Sequence, residues 1–143
     1  LGLFNQEPDD SALAQDLLAC MHRHGADFTN TFRDLSSGNL PEASIFQAED
    51  FQQWFERWQQ RLERQSDSRE ASRRLMISRN PAVIPRNHRV EEALEAAVDR
   101  ADFSVMERLL AVLSQPFQDP PEEAGYHLPA PPSQKPYRTF CGT

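Results

Sequence analysis

Cysteines and long apolar runs are both scarce in this chain of 143 residues. Its two cysteines, Cys20 and Cys141, are too few for the disulfide framework of a small secreted domain, so we expect a reducing compartment. No stretch approaches the roughly 18 to 20 consecutive apolar residues that a membrane-spanning helix needs. The N-terminus also lacks the basic and then apolar pattern of a secretion signal. We therefore expect a cytoplasmic protein with no membrane partner.

Apolar residues are few overall, at 38% of the sequence, and the mean hydropathy is −0.68. Such a composition leaves little apolar surface for a thick core, so part of the chain is expected to pack on something else. The chain also begins directly with apolar residues, without an initiator methionine. We expect it to be a segment of a longer polypeptide, in which a catalytic site can lie elsewhere.

Charge divides the chain into three blocks. Residues 1–56 carry ten acids and two arginines, residues 57–89 carry nine arginines and three acids, and residues 90–143 carry nine acids and four bases. The net charge of −7 opposes a phosphate backbone, and the arginines have no interleaved aromatic residues on which bases would stack. The pattern predicts an internally compensated surface and no nucleic-acid partner.

Apolar residues recur at helical spacing over most of the chain, which predicts a mainly α fold of short helices and helical hairpins. The clearest pattern is an aromatic stripe on a helix from about residue 48 to 65, which we interpret as the centre of the core. Its members are Phe51, Trp54, Phe55, Trp58 and Leu62.

Aspartates mark the starts of several predicted helices. Asp9 and Asp10 precede a helix that Gly25 ends, and Asp27 precedes a short second helix containing Phe28 and Phe32. A basic helix over residues 68–77 is followed by an extended link. Two short amphipathic helices then form a hairpin, the first with Leu94 and Val98 on its apolar face and the second, residues 105–113, capped by Asp102.

Proline dominates the C-terminal part, since seven of the eleven prolines lie between residues 115 and 137. Each fixes φ and removes a backbone donor, so this stretch is expected to extend as a polyproline II spacer. We therefore divide the chain into a helical region, residues 1–114, and a Pro-rich tail, residues 115–143. The tail carries Cys141, which is either a reactive thiol with access to a partner or an ordinary terminal cysteine.

Three metal-capable side chains lie close together in the first helix: Cys20, His22 and His24. Cys20 and His24 share a helix face, whereas His22 points away. Zinc normally takes three or four protein ligands, and no second cluster supplies the others, so the sequence predicts no metal site. Histidines at a helix C-terminus explain these residues equally well.

Two polar stretches are candidate binding segments. Asp27 and Arg33 flank a polar run between two phenylalanines, which we interpret as capping and an internal ion pair rather than a substrate contact. The run over residues 86–89, Arg-Asn-His-Arg, follows the extended link. A phosphate or an acidic surface suits it, and docking to another domain is the favoured interpretation.

Residues 25–33 (GADFTNTFR), residues 80–87 (NPAVIPRN) and the antepenultimate Cys141 together resemble one family, over essentially the whole chain. The chain is similar to the C-terminal part of selenoprotein O, the kinase-like protein adenylyltransferases. The resemblance implies a parent protein with a kinase-like fold that binds ATP and Mg²⁺ and transfers AMP to protein hydroxyl groups. The nucleotide-binding and metal-binding residues of the family belong to its upstream domain, so we expect no catalytic and no cofactor-binding residue in this chain.

The resemblance gives Cys141 a redox role. Eukaryotic relatives carry a selenocysteine at this position within a Cys-x-x-selenocysteine motif, and many bacterial relatives carry cysteine. Here Arg138 stands where the first cysteine of the motif would be. The resemblance then leaves a disulfide from Cys141 to a cysteine of the kinase-like domain, which would act as a redox latch in a bacterial cytoplasmic enzyme.

Two functions stay open at this stage. In one, the chain braces the upstream kinase-like domain of an adenylyltransferase that modifies protein substrates. In the other, it is a non-catalytic helical interaction module that presents its Pro-rich tail as a peptide ligand. Exposed apolar patches would favour the first, and a compact independent unit would favour the second.

Overall fold

Seven helices and no strand make up the regular secondary structure that the computed structural model describes, over residues 1–38, 40–42, 44–120 and 125–131. This confirms the mainly α fold. Within those ranges, no helix has both the length and the apolar character to cross a membrane. The helices are α1 (Asp10–Arg23), α2 (Phe28–Ser37), α3 (Ser44–Gln47), α4 (Glu49–Glu63), α5 (Arg69–Arg79), α6 (Asn87–Arg100) and α7 (Ser104–Leu113).

Helices α1 and α4 pack against each other in antiparallel orientation. The indole Nε1 of Trp54 donates a hydrogen bond of 2.8 Å to the carbonyl oxygen of Leu13, near the start of α1. At the other end of α1, Arg23 contacts Asp50 in the first turn of α4. The long helix of the aromatic stripe thus places its N-terminus beside the C-terminus of α1.

The aromatic stripe forms the centre of the core, as predicted. Phe51, Trp54, Trp58 and Leu62 are each less than 7% exposed, and Phe55 packs against them. The indole rings of Trp54 and Trp58 are stacked, with centroids 5.7 Å apart and an interplanar angle of 12°. Such ring pairs contribute about 0.5–1.5 kcal/mol beyond the apolar area that they bury.

Two of the predicted helix caps are present and one is not. The side chain of Asp27 accepts a hydrogen bond from the backbone N–H of Asn30, and that of Asp102 accepts one from Ser104. Asp9 stands at the N-cap of α1 and Asp10 in its first turn, but the Asp9 side chain makes no capping hydrogen bond, so that part of the prediction is wrong. Asp10 instead accepts a 2.8 Å hydrogen bond from the N–H of Glu7 and closes the turn before α1.

Helices α6 and α7 form the predicted hairpin, but their apolar side chains are arranged differently from the expectation. The buried residues of α6 are Ala93 and Ala96, while Leu94 and Val98 are 49% and 82% exposed. Small side chains such as these allow a helix backbone to lie close to its neighbours. The larger side chains of α6 remain outside, and Leu110 of α7 is 59% exposed.

Parts of the segment after α7 return to the helical body. The carbonyl oxygen of Pro116 accepts a 2.7 Å hydrogen bond from the N–H of Ala82, in the link between α5 and α6. Residues 125–128 also contact this body, through Arg86 and Arg89. The boundary at residue 114 remains a prediction, and most of the predicted spacer, from residue 132 onward, lies outside the described residues.

Candidate functional site

The polar residues highlighted by the sequence fall into two clusters. Cys141 and Arg138 lie outside the described residues, so the redox role of Cys141 stays a prediction. The first cluster joins the two family-like segments, and we call it the motif junction: Asp27, Asn30, Arg33, Asn80 and Arg86. The second, the α1–α4 junction, consists of Cys20, Arg23, His24 and Asp50.

Arg86 is the hub of the motif junction. Its guanidinium donates two hydrogen bonds to the Asp27 carboxylate, at 2.5 and 2.9 Å, and a third to the side-chain oxygen of Asn30 at 3.1 Å. The side chains of Arg86 and Asp27 are only 11% and 22% exposed. Burial acts to raise the pKa of Asp27, but the hydrogen bonds from Arg86 and the Asn30 N–H outweigh it and hold that pKa below its usual value.

Arg33 has a different partner from the one predicted. Its guanidinium donates to Asp119 at 2.7 and 2.9 Å and to the carbonyl oxygens of Ile77 and Asn80. The predicted ion pair between Asp27 and Arg33 is therefore wrong. Asp27 precedes α2 with an extended backbone and its carboxylate caps the N–H of Asn30, whereas Arg33 lies in the middle of the helix.

The two family-like segments are held together directly. The side-chain amide of Asn80 donates a 2.8 Å hydrogen bond to Ser36 in α2, and Arg33 of α2 contacts the carbonyl oxygen of Asn80. Arg86 and Asn30 both donate to the carbonyl oxygen of His127, at 3.0 Å each. The junction thus ties α2, the link before α6 and the segment 125–128 into one unit.

Arg89 also finds its partners inside the chain. It donates to Glu92 at 2.9 Å and to the carbonyl oxygen of Gly125 at 3.3 Å, and its guanidinium lies 5.8 Å from the ring centroid of Tyr126. Arg86 and Arg89 are thus engaged by groups of this chain, and docking of the run 86–89 to another domain or a phosphate stays a prediction. Asn87 is exposed, and His88 is half-buried.

A cavity of about 510 Å³ opens beside the α1–α4 junction, and another of about 640 Å³ opens beside the motif junction. The larger one is lined by Arg33 and Asp119, which pair with each other, and by Asp34 and His127. Burial raises the pKa of Asp34 above its usual value. The paired Arg33 and Asp119 leave no net charge on that wall, which suits packing or a neutral ligand.

At the α1–α4 junction, two helices bring three metal-capable groups together. The Cys20 sulfur, a ring nitrogen of His24 and an oxygen of Asp50 all lie within 4.8 Å of one another. His24 Nε2 is 3.0 Å from Asp50 Oδ1, and Arg23 donates to the other carboxylate oxygen at 2.6 Å. The hydrogen bond from Arg23 is the main reason why the pKa of Asp50 lies well below its usual value.

Sequence reasoning found two members of this group and missed the third. Cys20 and His24 share a face of α1 as predicted, and His22 does not join them. Asp50 comes from the first turn of α4, 26 residues after His24. Asp50 could be found only by knowing that α1 and α4 pack antiparallel, and the hydrophobic periodicity of the sequence does not predict that packing.

Neither junction fits the ATP and Mg²⁺ that the family resemblance implies. Mg²⁺ takes hard oxygen ligands in octahedral geometry, usually carboxylates and water. The carboxylates of these junctions form ion pairs with arginines, namely at Asp27, Asp119 and Asp50. The group at Asp50 also includes a thiol and an imidazole. We therefore assign no step of nucleotide chemistry to the described residues of this chain.

Comparison with known proteins identifies close relatives. The family model of protein adenylyltransferase SelO matches residues 1–114. Two proteins named protein nucleotidyltransferase YdiU, from Syntrophotalea carbinolica and Alkaliphilus metalliredigens, are 58% and 54% identical to this chain over 143 residues. A third, from Halalkalibacterium halodurans, is 56% identical over 144 residues. In each case the match covers 100% of this chain and 29% of the relative.

Proposed function

The chain belongs to the protein adenylyltransferase SelO family, and on that premise we propose that it is the helical C-terminal part of an enzyme that transfers AMP from ATP to protein hydroxyl groups. Ser, Thr and Tyr side chains of protein substrates are the proposed acceptors. ATP and Mg²⁺ bind to a kinase-like domain outside this chain, in the bacterial cytoplasm. The observation that carries the proposal is the match of the whole chain, at 58% identity, to 29% of a protein nucleotidyltransferase.

AMP transfer by the full-length protein is tested with two labels. ATP labelled at the α-phosphate should leave label on an acceptor protein, whereas ATP labelled at the γ-phosphate should leave none, because AMP carries only the α-phosphate. The 143-residue chain alone should transfer neither label. Label from the γ-phosphate would make the protein a kinase and overturn the proposal, and so would transfer by the chain alone.

The role proposed for the helical region is to brace the kinase-like domain. Its support is the α6–α7 hairpin, whose large apolar residues Leu94, Val98, Phe103 and Leu110 are between 49% and 82% exposed. Among the described residues, the main core cluster includes no member of α6 or α7. Apolar residues exposed together mark an interaction surface, which favours the brace over the independent module.

A charge placed on this surface tests the brace. In the full-length protein, Val98→Asp should speed amide hydrogen exchange in α6 and α7 and lower AMP transfer, since burying a valine contributes about 1.5–3 kcal/mol that the charge removes. Gln60→Asp is the matched control, because Gln60 is an exposed position of α4 that also gains one negative charge. Equal exchange in the two variants would contradict docking through the hairpin.

For Cys141 we propose a redox latch to a cysteine of the kinase-like domain. The support is the family resemblance at the antepenultimate position, together with the absence of a second cysteine at Arg138. The rate of AMP transfer by the full-length protein should differ between thiol-reducing and disulfide-forming conditions. Cys141→Ser should abolish that difference. Thr139→Ala, two residues away, should keep it. A redox response that persists in Cys141→Ser would refute the latch.

A further inference from the structure

We propose that Cys20, His24 and Asp50 form a three-ligand Zn²⁺ site at the α1–α4 junction. Cys20 lies in the last turn of α1, His24 directly follows that helix, Asp50 lies in the first turn of α4, and the three donor atoms lie within 4.8 Å of one another. The sequence argued against a metal here because only Cys20 and His24 were available. The fold supplies the missing third ligand.

The donor atoms already have nearly the spacing that Zn²⁺ needs. Tetrahedral bonds of 2.0–2.3 Å place neighbouring donors about 3.3–3.7 Å apart. His24 Nε2 and Asp50 Oδ1 are 3.0 Å apart, and no pair among the three exceeds 4.8 Å. Shifts of about one ångström, within the reach of side-chain rotation, convert the present contacts into metal bonds.

The chemistry of the donors selects a borderline-soft ion. A thiolate, an imidazole and a carboxylate are the three ligand types of protein zinc sites, whereas Mg²⁺ and Ca²⁺ take oxygen ligands only. Binding would displace the proton of the Cys20 thiol, so one proton leaves for each Zn²⁺ bound. The thiolate and the Asp50 carboxylate then balance the two charges of the ion, with His24 neutral.

Arg23 would hold the carboxylate ligand of such a site in position. Its Nε and Nη2 both donate to Asp50 Oδ2, at 3.1 and 2.6 Å, which leaves Oδ1 facing His24. Carboxylate ligands of metals are ordinarily held by outer-shell hydrogen bonds of this kind. Cys20 is 1% exposed, but it and Asp50 line the 510 Å³ cavity, from which a water molecule can supply the fourth ligand.

Cobalt provides a direct readout, because Co²⁺ bound to a thiolate gives a sulfur-to-metal charge-transfer band and tetrahedral Co²⁺ gives visible bands. The 143-residue chain, freed of metal with a chelator, should develop both sets of bands at one Co²⁺ per chain. Zn²⁺ should remove them by competition. Replacing a ligand should weaken Zn²⁺ binding at least about 100-fold, since outer-shell partners alone contribute about 10- to 100-fold.

Variants of the two cysteines separate this site from adventitious binding. Cys20→Ser should lose the charge-transfer band, and Cys141→Ser should keep it. His24→Gln and Asp50→Asn change side chains that are 31% and 35% exposed, so they test the site even if Cys20→Ser disturbs packing. His22→Gln, on another face of α1, is the matched control for His24→Gln and should bind as the unaltered chain does.

Three results would overturn the proposal. They are the absence of a charge-transfer band at stoichiometric Co²⁺, a band that survives in Cys20→Ser, and equal weakening by His22→Gln and His24→Gln. None of these outcomes depends on AMP transfer, so the proposed function and the metal site can fail separately.

Discussion

Arg61 is a buried charged residue that forms ion pairs with carboxylates, and we predict that Arg61→Met strongly lowers the free energy of unfolding. Its side chain is 2% exposed and lies on α4 against the start of α1. It donates to Asp10 at 2.7 and 3.1 Å and to the carbonyl oxygen of Asn5 at 2.7 Å. Its Nη1 is also 3.1 Å from a Glu7 carboxylate oxygen.

The expected cost follows from what the substitution leaves behind. Removing one partner of a buried ion pair costs about 3–5 kcal/mol, because the remaining charge stays buried without compensation. The carboxylates of Asp10 and Glu7 keep 16% and 25% exposure, so water can reach them in part. We therefore expect the lower end of that range, about 3 kcal/mol.

Urea unfolding followed by tryptophan fluorescence measures this free energy, because Trp54 and Trp58 lie in the core beside α1. Arg57→Met is the matched control, one turn earlier on the same helix. Arg57 pairs with Asp16 at 2.8 Å, but the two side chains are 54% and 50% exposed. An exposed pair of this kind contributes less than about 1 kcal/mol.

The stabilisation by Arg61 should also depend on pH in a defined direction. The hydrogen bond from Arg61 lowers the pKa of Asp10, so this group stabilises the fold above its unfolded-state pKa of about 3.9. That contribution disappears as the pH falls through the lowered folded-state pKa. The difference in unfolding free energy between the original chain and Arg61→Met should therefore be largest near neutral pH and shrink below about pH 4.

Two results would refute the reasoning about Arg61. One is a cost below about 1 kcal/mol or equal to that of Arg57→Met, which would mean that the buried pair is worth no more than an exposed one. The other is a difference that does not change between pH 7 and pH 3. Adding Asp10→Asn to Arg61→Met should recover part of the loss, because it removes one stranded charge.

Three further substitutions test the motif junction and two backbone positions by urea unfolding, and the first is also tested by limited proteolysis. Arg86→Met should lower the unfolding free energy by about 2–3 kcal/mol and expose residues 125–128 to proteolysis. Its control, Arg74→Met, breaks an exposed i,i+4 pair and should lower it by less than about 0.5 kcal/mol. Ala101→Gly should stabilise the chain by up to about 1 kcal/mol, because Ala101 has φ +51°. Gly2→Ala should cost more than about 1 kcal/mol, since φ is +74° and a Cβ would lie 3.0 Å from the carbonyl oxygen of Ser72. An unchanged unfolding free energy in Arg86→Met would contradict the importance of its ion pair. A loss of stability in Ala101→Gly, or no loss in Gly2→Ala, would contradict the argument from positive φ.

Local signals in the sequence predicted the helices and much of the core. The aromatic stripe on α4 and the caps at Asp27 and Asp102 were all identified from spacing, and all are present. These features depend on residues within one or two helical turns of each other. The single turn α3 was not predicted, since it has only four residues and no full period of an apolar pattern.

Contacts between distant segments were harder to predict. The partner of Asp27 is 59 residues away and that of Arg33 is 86 residues away, so sequence proximity suggested the wrong pair. The orientation of α6 failed for a similar reason. Leu94 and Val98 have the stronger hydrophobic signal, but Ala93 and Ala96 are the residues of α6 that are buried.

The two family-like segments and the exposed hairpin therefore have different roles in the fold. The charged groups of the motif junction form ion pairs inside the chain, since Arg86 pairs with Asp27 and Arg33 pairs with Asp119. Substitutions there should act through the stability of this region rather than through lost contact with a partner. The hairpin has the opposite character, since large apolar side chains such as Val98 are exposed and gain nothing from the chain itself. Exposure of these apolar side chains to water is unfavourable in the isolated chain, and burial against another domain would remove that cost. A brace against another domain requires a surface of this kind. Docking should for this reason depend on the hairpin and be insensitive to the charges of the motif junction, as long as that junction stays folded.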